Sequence, residues 1–343
     1  MPNRLRIGVL GTGAIVREFH LPALLANPRV HVAALGNQHL GSLAQLAQAH
    51  RIQKTYTDFD QMAADPDLDA VVNALPNYLH APVSIAMLRA GKHVLCEKPM
   101  AMNVAEAEAM LAAAAAAGRK LVIAHPWRSS QEYAWLHAVV AAGTIGDIFK
   151  VRAHAVLAGA GPPADSWFVQ PEFAGGGALT DIGIHGIDSI SYVFDDRPRP
   201  VTVFARIGTH FQPIQVEDTA TMIIAYDNGM VAELAAGWHH QYANSPHGTL
   251  ELFGAQGYAR TFPAEVHSAL SGVPGVFRPA WPAVAEHINA SMYAAQIDRF
   301  VDCVVHDAPP ACAARNGLIS VRVLEAAYHS ARSGKAVKLA HEE

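Results

Sequence analysis

Three groups of residues in this 343-residue chain have types and spacings suited to chemistry. Gly11-Thr12-Gly13 ends the apolar run at 7–10 and precedes a helical pattern, so small residues stand where strand turns into helix. The first glycine permits a tight turn and the second lets backbone approach a pyrophosphate, which then faces the N–H groups and positive dipole end of a helix. Glu97-Lys98-Pro99 leaves a second apolar run, HVLC at 93–96. A lysine there stands at the carboxyl end of a buried strand, where open α/β sheets bind their ligands. Asp181 and His185 are four apart on a helix-like segment, so they share one face. A carboxylate beside an imidazole raises its basicity and fixes its orientation. Such a histidine takes the proton of a hydroxyl as hydride leaves the same carbon. Plainer readings stand beside each group: an ordinary tight turn, a solvated surface lysine, and a buried pair that merely caps a glycine turn.

The elements that must position these groups are legible from apolar periodicity. Strand and helix signals alternate through the first ~125 residues, a pattern that implies a parallel sheet with right-handed crossovers. Strands are expected at 6–11, 30–35, 69–74, 93–97 and 120–125, with helices at 14–26, 40–49, 58–64, 79–90 and 104–117. Beyond residue ~145 strand signals dominate: FKVRAHAV, VTVFARIGTH, TATMIIAYDN, GMVAELAAGW and HGTLELFG, with a hairpin turn at Asp227-Asn228-Gly229. Two helices, near 291–306 and 313–332, are separated by Pro309-Pro310 and are expected to pack back on the body. The fold class is therefore α/β: a doubly wound dinucleotide-binding Rossmann domain over 1–125, then an α+β domain over 126–343 with a large, mostly antiparallel sheet. Residues 262–285, rich in Pro, Gly and Ala, read as a mobile flap.

Composition narrows the function. With 51% hydrophobic and 16% charged residues the chain has material for two buried cores. A net charge of -5 and scattered Arg and Lys argue against a nucleic-acid partner. The alanine-rich stretch 109–117 is too short to span a bilayer, and no membrane role is expected. Three cysteines, Cys96, Cys303 and Cys312, give no disulfide framework and fit a reducing cytoplasm. His239-His240 invites a zinc reading. It is set aside because neighbours on a strand point to opposite faces and no carboxylate or Cys partner has suitable spacing, so no metal is expected. The third glycine of the full dinucleotide fingerprint would stand at Val16. The second strand ends at Leu35 and continues Gly36-Asn37-Gln38-His39, without the carboxylate that holds the ribose 2′-hydroxyl of NAD. NAD and NADP both remain open, with a lean to NADP, although His39 is the only cation nearby.

With GxG at 11–13, LPNxxH at 75–80, AGKHVLCEKP at 90–99 and GGGALxDxGxH at 175–185, nearly the whole chain resembles the Gfo/Idh/MocA oxidoreductases, the family of glucose–fructose oxidoreductase and inositol dehydrogenase. The resemblance implies an NAD(P)-dependent enzyme that moves a hydride between nicotinamide and a carbinol carbon of a sugar, polyol or related compound. In it His185 is acid/base, Lys98 polarises the hydroxyl or relays its proton, and Asp181 orients the histidine. Gly11, Gly13, Ala14, Ile15, Asn37, Leu75, Pro76, Asn77, His80 and also Lys98 would line the cofactor, and Glu97 would reach the nicotinamide ribose. Trp127 and Arg128 would meet the nicotinamide end, with Arg128 on cofactor phosphate or on an acidic substrate group. Trp167 either stacks on a sugar ring or packs in the core. Two other functions fit the scaffold: an NAD-dependent glycosidase that works by transient oxidation, and a non-catalytic sugar or cofactor sensor. TATMIIAY and VAELAAGW are apolar on both alternating sets, which predicts a homodimer or homotetramer formed through the C-terminal sheet.

Overall fold

The apolar runs of the first half become strands buried on both faces, as parallel strands must be when helices cover each side. In the computed structural model, residues 4–159, 161–211, 213–240, 248–270, 272–281 and 288–340 are described. The chain divides into two compact units: Met1–Ser129 with Ile288–Leu318, and Ser130–His287 with Ile319–Glu343.

In the first unit six strands make one sheet: β1 (Leu5–Leu10), β2 (Val30–Gly36), β3 (Lys54–Tyr56), β4 (Ala70–Asn73), β5 (His93–Glu97) and β6 (Leu121–Ala124). All pair in parallel, in the order β3-β2-β1-β4-β5-β6. The order reverses between β1 and β4, the switch point at which such sheets open a crevice. The helix expected over 14–26 forms with a widened π-turn at Val16–His20 before an α-helix at Leu21–Ala26. Val16, standing in place of the third glycine, is fully buried in the core with Ile7, Val9 and Leu35. Helix Val104–Ala117 starts on Asn103, whose side chain accepts from the Glu106 amide, and stops at Gly118 in a left-handed conformation. Helix Ala290–Val305 adds Ile297, Phe300, Val301 and Cys303 to the same core.

The second unit is built on a nine-stranded sheet: β7 (Ile148–Val156), β8 (Pro200–Gly208), β9 (Thr219–Tyr226), β10 (Val231–Gly237), β11 (Thr249–Gly254), β12 (Gly257–Arg260), β13 (Glu265–Leu270), β14 (Val273–Phe277) and β15 (Val337–Lys338). Their order is β14-β13-β12-β11-β7-β10-β9-β8-β15, antiparallel except where β7 meets β10. Asp227-Asn228-Gly229 forms the turn between β9 and β10, with Gly229 at φ 86° and the Tyr226 amide donating to the Met230 carbonyl. Along β9, Ala220, Met222, Ile224 and Tyr226 are buried while Thr221 and Ile223 are exposed. One face therefore packs inward against helix Ile184–Val193. That helix and the turn before it lie so close to β10 that a Cβ on Gly186 would stand 2.8 Å from Leu234 Cδ1, and one on Gly183 2.9 Å from Ala236 Cβ.

The flap expected over 262–285 is corrected in part. β13 and β14 pair as a hairpin that extends the sheet, and Glu265 within it takes ion pairs from Arg260 and Arg278. Turn residues inside alternating polar and apolar segments had hidden these short strands. Residues 271 and 282–285 of the expected flap, the tract 241–247 of WHHQYANSPH and the first residue of HGTLELFG lie outside the described residues. Among the described residues no helix is long and apolar enough to cross a membrane.

Candidate active site

In the first unit the glycine turn is required by space. Gly11 has φ 103°, and a Cβ on it would overlap the Ala74 carbonyl oxygen at the end of β4. β1 and β4 thus approach too closely for any side chain at that turn. Among the described residues nothing lies within 4 Å of where a Cβ on Gly13 would stand. Ala14 and Ile15 begin the helix there, so first-turn amides of a kind that lacks intrahelical partners adjoin open space. A pyrophosphate fits this cradle. At the end of β2, Asn37 is buried and donates to Thr12 Oγ1 (2.8 Å) and Ser42 Oγ (3.1 Å), which themselves stand 3.0 Å apart. The Arg17 guanidinium donates to the Thr12 carbonyl at 3.0 Å. The second strand therefore ends in a neutral amide and hydroxyl cluster with a guanidinium beside it.

The loop after β4 carries Leu75, Pro76 and Asn77 into a single 3₁₀ turn. His80, fully buried, ties that loop to the end of β5: its Nδ1 lies 2.6 Å from the Pro99 carbonyl oxygen and its Nε2 2.8 Å from that of Leu75. Burial lowers its pKa, and the two carbonyls oppose that shift. Glu97, 6% exposed, ends β5. Its Oε1 is 2.7 Å from His20 Nε2, and its Oε2 accepts the Lys98 amide at 3.1 Å. Burial alone would raise this carboxyl, but the His20 hydrogen bond and charge hold it below its ordinary value. His20 comes from the π-turn and sits edge-on to Tyr293, so the helix after the glycine turn and the strand carrying Lys98 are held by one buried pair. Sequence reasoning missed His20, because a histidine in a helical stretch 77 residues away carries no local signal. Lys98 itself is half-buried. Trp127 and Arg128 are buried after β6, and the Arg128 guanidinium reaches the Ala311 carbonyl at 3.4 Å.

Cys96, one residue before Glu97, is fully buried, and burial pushes its thiol up to about 12. A thiol that stays protonated is a poor nucleophile. Iodoacetamide at pH 8 is expected to leave Cys96 unmodified in the folded protein and to alkylate it after unfolding in guanidinium, read by peptide mass spectrometry. Modification at equal rates in both states would contradict its burial.

In the second unit Gly175 takes a left-handed φ of 78°, and Gly176 and Gly177 are required by space. A Cβ on Gly176 would overlap the Tyr328 hydroxyl, and one on Gly177 the Glu217 carbonyl oxygen. Glu217, 5% exposed, accepts the amides of Gly177 (3.0 Å) and Leu179 (2.9 Å) on its carboxylate, and its main-chain oxygen accepts the Ala178 amide (2.9 Å). Burial raises its pKa, while the Tyr328 hydroxyl and the amides of Leu179 and Gly177 pull the other way. Then follow a π-turn at Leu179–Gly183 with Asp181 and the helix Ile184–Val193 with His185, so both side chains ride on one continuous helical run. Asp181 Oδ2 accepts the Trp238 indole N–H at 3.0 Å, and His185 is buried. The capping of the glycine turn thus belongs to Glu217.

Trp167 is half-buried and stacks on Phe168, ring centroids 4.0 Å apart. The argument that His239 and His240 point to opposite faces of a strand is corrected. β10 ends at Gly237, His239 takes a left-handed φ of 61°, and both rings pack near Phe211, at 5.6 and 6.4 Å between centroids.

Comparison with known proteins bears on the same segments. Residues 5–125 match the family described as "Oxidoreductase family, NAD-binding Rossmann fold", and residues 133–260 match the "GFO/IDH/MocA C-terminal domain". The chain is 30% identical over 253 residues to 1,5-anhydro-D-fructose reductase of Ensifer adhaerens, covering 74% of each protein. It is 30% identical over 258 residues to trans-1,2-dihydrobenzene-1,2-diol dehydrogenase of Bos taurus, covering 75% of this chain and 73% of that one. The crystal structure of aldose-aldose oxidoreductase from Caulobacter crescentus complexed with glycerol superposes with a TM-score of 0.84 at 29% identity, covering 98% of this chain and 100% of that one.

Proposed function

Because this chain belongs to the Gfo/Idh/MocA oxidoreductase family, we propose that Lys98, Asp181 and His185 carry its reaction. The protein is an NAD(P)-dependent oxidoreductase acting on hydroxyl-bearing carbons of sugar-like compounds. Reduction of an anhydro sugar and oxidation of a cyclic diol by its relatives both interconvert a carbinol and a carbonyl. When bound, the nicotinamide supplies the hydride acceptor or donor. Gly11, Gly13, Ala14 and Ile15 would receive its pyrophosphate, and Asn37 would face its adenosine ribose.

His185 removes the substrate hydroxyl proton in the oxidative direction and returns it in the reductive one. Asp181 keeps the imidazole oriented. The Lys98 ammonium steadies the negative charge that grows on the same oxygen. The single observation that carries this reading is that Glu217 occupies the amides of the glycine turn. The amides of Gly177, Ala178 and Leu179, at the start of the helical run that carries Asp181 and His185, are thereby satisfied by Glu217. A titration with NAD+ and NADP+, followed by a panel of aldoses and polyols read at the nicotinamide absorbance, tests the reading. Saturable reduction dependent on one panel compound supports it, and a flat absorbance across the panel with cofactor bound contradicts it.

The finer cofactor choice leans to NADP. The Thr12-Asn37-Ser42 cluster brings no carboxylate to repel a 2′-phosphate, and Arg17 stands beside it. Asn37→Asp is expected to shift the ratio of NADP+ to NAD+ affinity toward NAD+ by roughly 10- to 100-fold, the scale of one charged hydrogen bond gained or lost. An unchanged ratio in paired titrations would remove Asn37 from the ribose site. The reading also places the enzyme in the cytoplasm, as a homodimer or homotetramer through the outer face of the nine-stranded sheet. Ile223 and Val231, 44% and 37% exposed on that face, support such an assembly.

A further inference from the structure

A helix start leaves several amides without intrahelical partners, and a side chain at the N-cap normally takes one of them. The helical run that carries Asp181 and His185 has Ala178 at that position, which offers no side-chain acceptor. Glu217 takes over the task from 38 and 40 residues away: its carboxylate accepts from Leu179 and Gly177, and its carbonyl from Ala178. Tyr328, on the helix Ala314–Ser333, donates to Glu217 Oε1 at 2.7 Å and shares a 2.8 Å hydrogen bond with Thr180 Oγ1, next to Asp181. The glycines at 176 and 177 exist so that Tyr328 and Glu217 reach this close. From these contacts we infer that Glu217, held by Tyr328, is a positioning residue for the reaction: it sets the rotation and rise of the helical run on which Asp181 and His185 stand.

The inference rests on the acid/base reading of those two residues. Its physical content is a match of charge and number. Three consecutive amides and one phenol converge on one acidic residue, and a negative group at a helix N-terminus is favoured by the dipole. Asp181 lies in the first turn, with its amide bonded to the Gly177 carbonyl at 2.9 Å. Loosening at 177–179 therefore passes directly into the placement of its carboxylate. Reactions that need donor and acceptor in one geometry lose about 100-fold for misplacements on the order of 1 Å.

The test is Glu217→Gln, which keeps shape but turns one acceptor oxygen into a donor amide among donors. Activity is read with the panel aldose or polyol of highest rate, against pH, with unfolding measured on the same samples. The expected result is a kcat lower by about 10- to 100-fold, a displaced ionisation limb in the kcat profile, and a KM for the nicotinamide cofactor within about twofold of the parent. Tyr328→Phe, which removes one hydroxyl only, gives a smaller change in the same direction and decides the matter if Glu217→Gln fails to fold. A kcat and pH profile like the parent's in folded protein overturns the inference. So does a loss that follows the folded fraction with the profile unmoved. Asp181→Asn and His185→Ala are measured alongside. If they keep turnover, the acid/base reading itself fails; if they lose it while Glu217→Gln does not, only the positioning role fails.

Discussion

Lys98→Met is expected to lower kcat by about 10²- to 10⁴-fold while cofactor affinity stays within a few-fold, and His185→Ala is expected to do the same. The expectation follows from what each group does. Methionine fills the space of the lysine stem but presents no charge to an alkoxide forming on the substrate. Alanine leaves no base for the hydroxyl proton. Glu97, paired with His20 and the Lys98 amide, keeps the end of β5 in place in the methionine variant, so the cradle at Gly11 and Gly13 is untouched. The pH profiles separate the two roles. His185→Ala removes the acidic limb of the oxidative reaction, where the base must be unprotonated, whereas Lys98→Met lowers the plateau and keeps that limb. Steady-state kinetics across pH, with the binding titration for cofactor, checks both. Turnover near the parent rate in either variant would remove that residue from the chemistry.

Gly177→Ala is expected to destabilise the protein by about 3 kcal/mol, at the upper end of the usual cost of overpacking, and to remove most of its activity. The added methyl would overlap the Glu217 carbonyl oxygen and stand 2.9 and 3.0 Å from its carbonyl carbon and amide nitrogen. These are backbone atoms, and no flexible side chain is there to yield. Gly13→Ala provides the contrast. Its methyl enters open space, so stability is expected to stay within about 0.5 kcal/mol of the parent, as for ordinary surface substitutions, while cofactor binding weakens because that space receives the pyrophosphate. Denaturant unfolding of both variants beside the cofactor titration checks the pair. A parent-like midpoint for Gly177→Ala, or parent-like cofactor affinity for Gly13→Ala, would count against the respective account.

The parallel sheet was legible because most of its strands are short apolar runs, the first two closed by Gly11 and Gly36, and because helix stops such as Asn27-Pro28 and Gly91 punctuate the chain locally. The candidate groups at 11–13, 97–99 and 181–185 were legible for a similar reason, since each is compact along the chain. What escaped is what depends on distant partners. Val16 tolerates the lost third glycine because the helix widens there into a π-turn and buries the side chain. His20 reads as any helical histidine until Glu97 meets it. Glu217 stands in an unremarkable VEDT stretch, and only the folded sheet brings it to the glycine turn. A positive φ at His239, invisible in a pair of adjacent histidines, undid the strand argument about their faces. Local pattern reports the elements and the small residues they need. The carboxylates that hold those elements in register come from tertiary structure.

Transfer of carbon-bound deuterium tests the central claim most directly. The enzyme is incubated with NAD+ or NADP+ and with aldoses or polyols deuterated at their carbinol carbons, and the nicotinamide is recovered for mass spectrometry. The account predicts deuterium at nicotinamide C4 in the parent protein and its loss in Lys98→Met and His185→Ala. Unlabelled nicotinamide across the panel, together with cleavage of an aryl glycoside without net reduction, would contradict it.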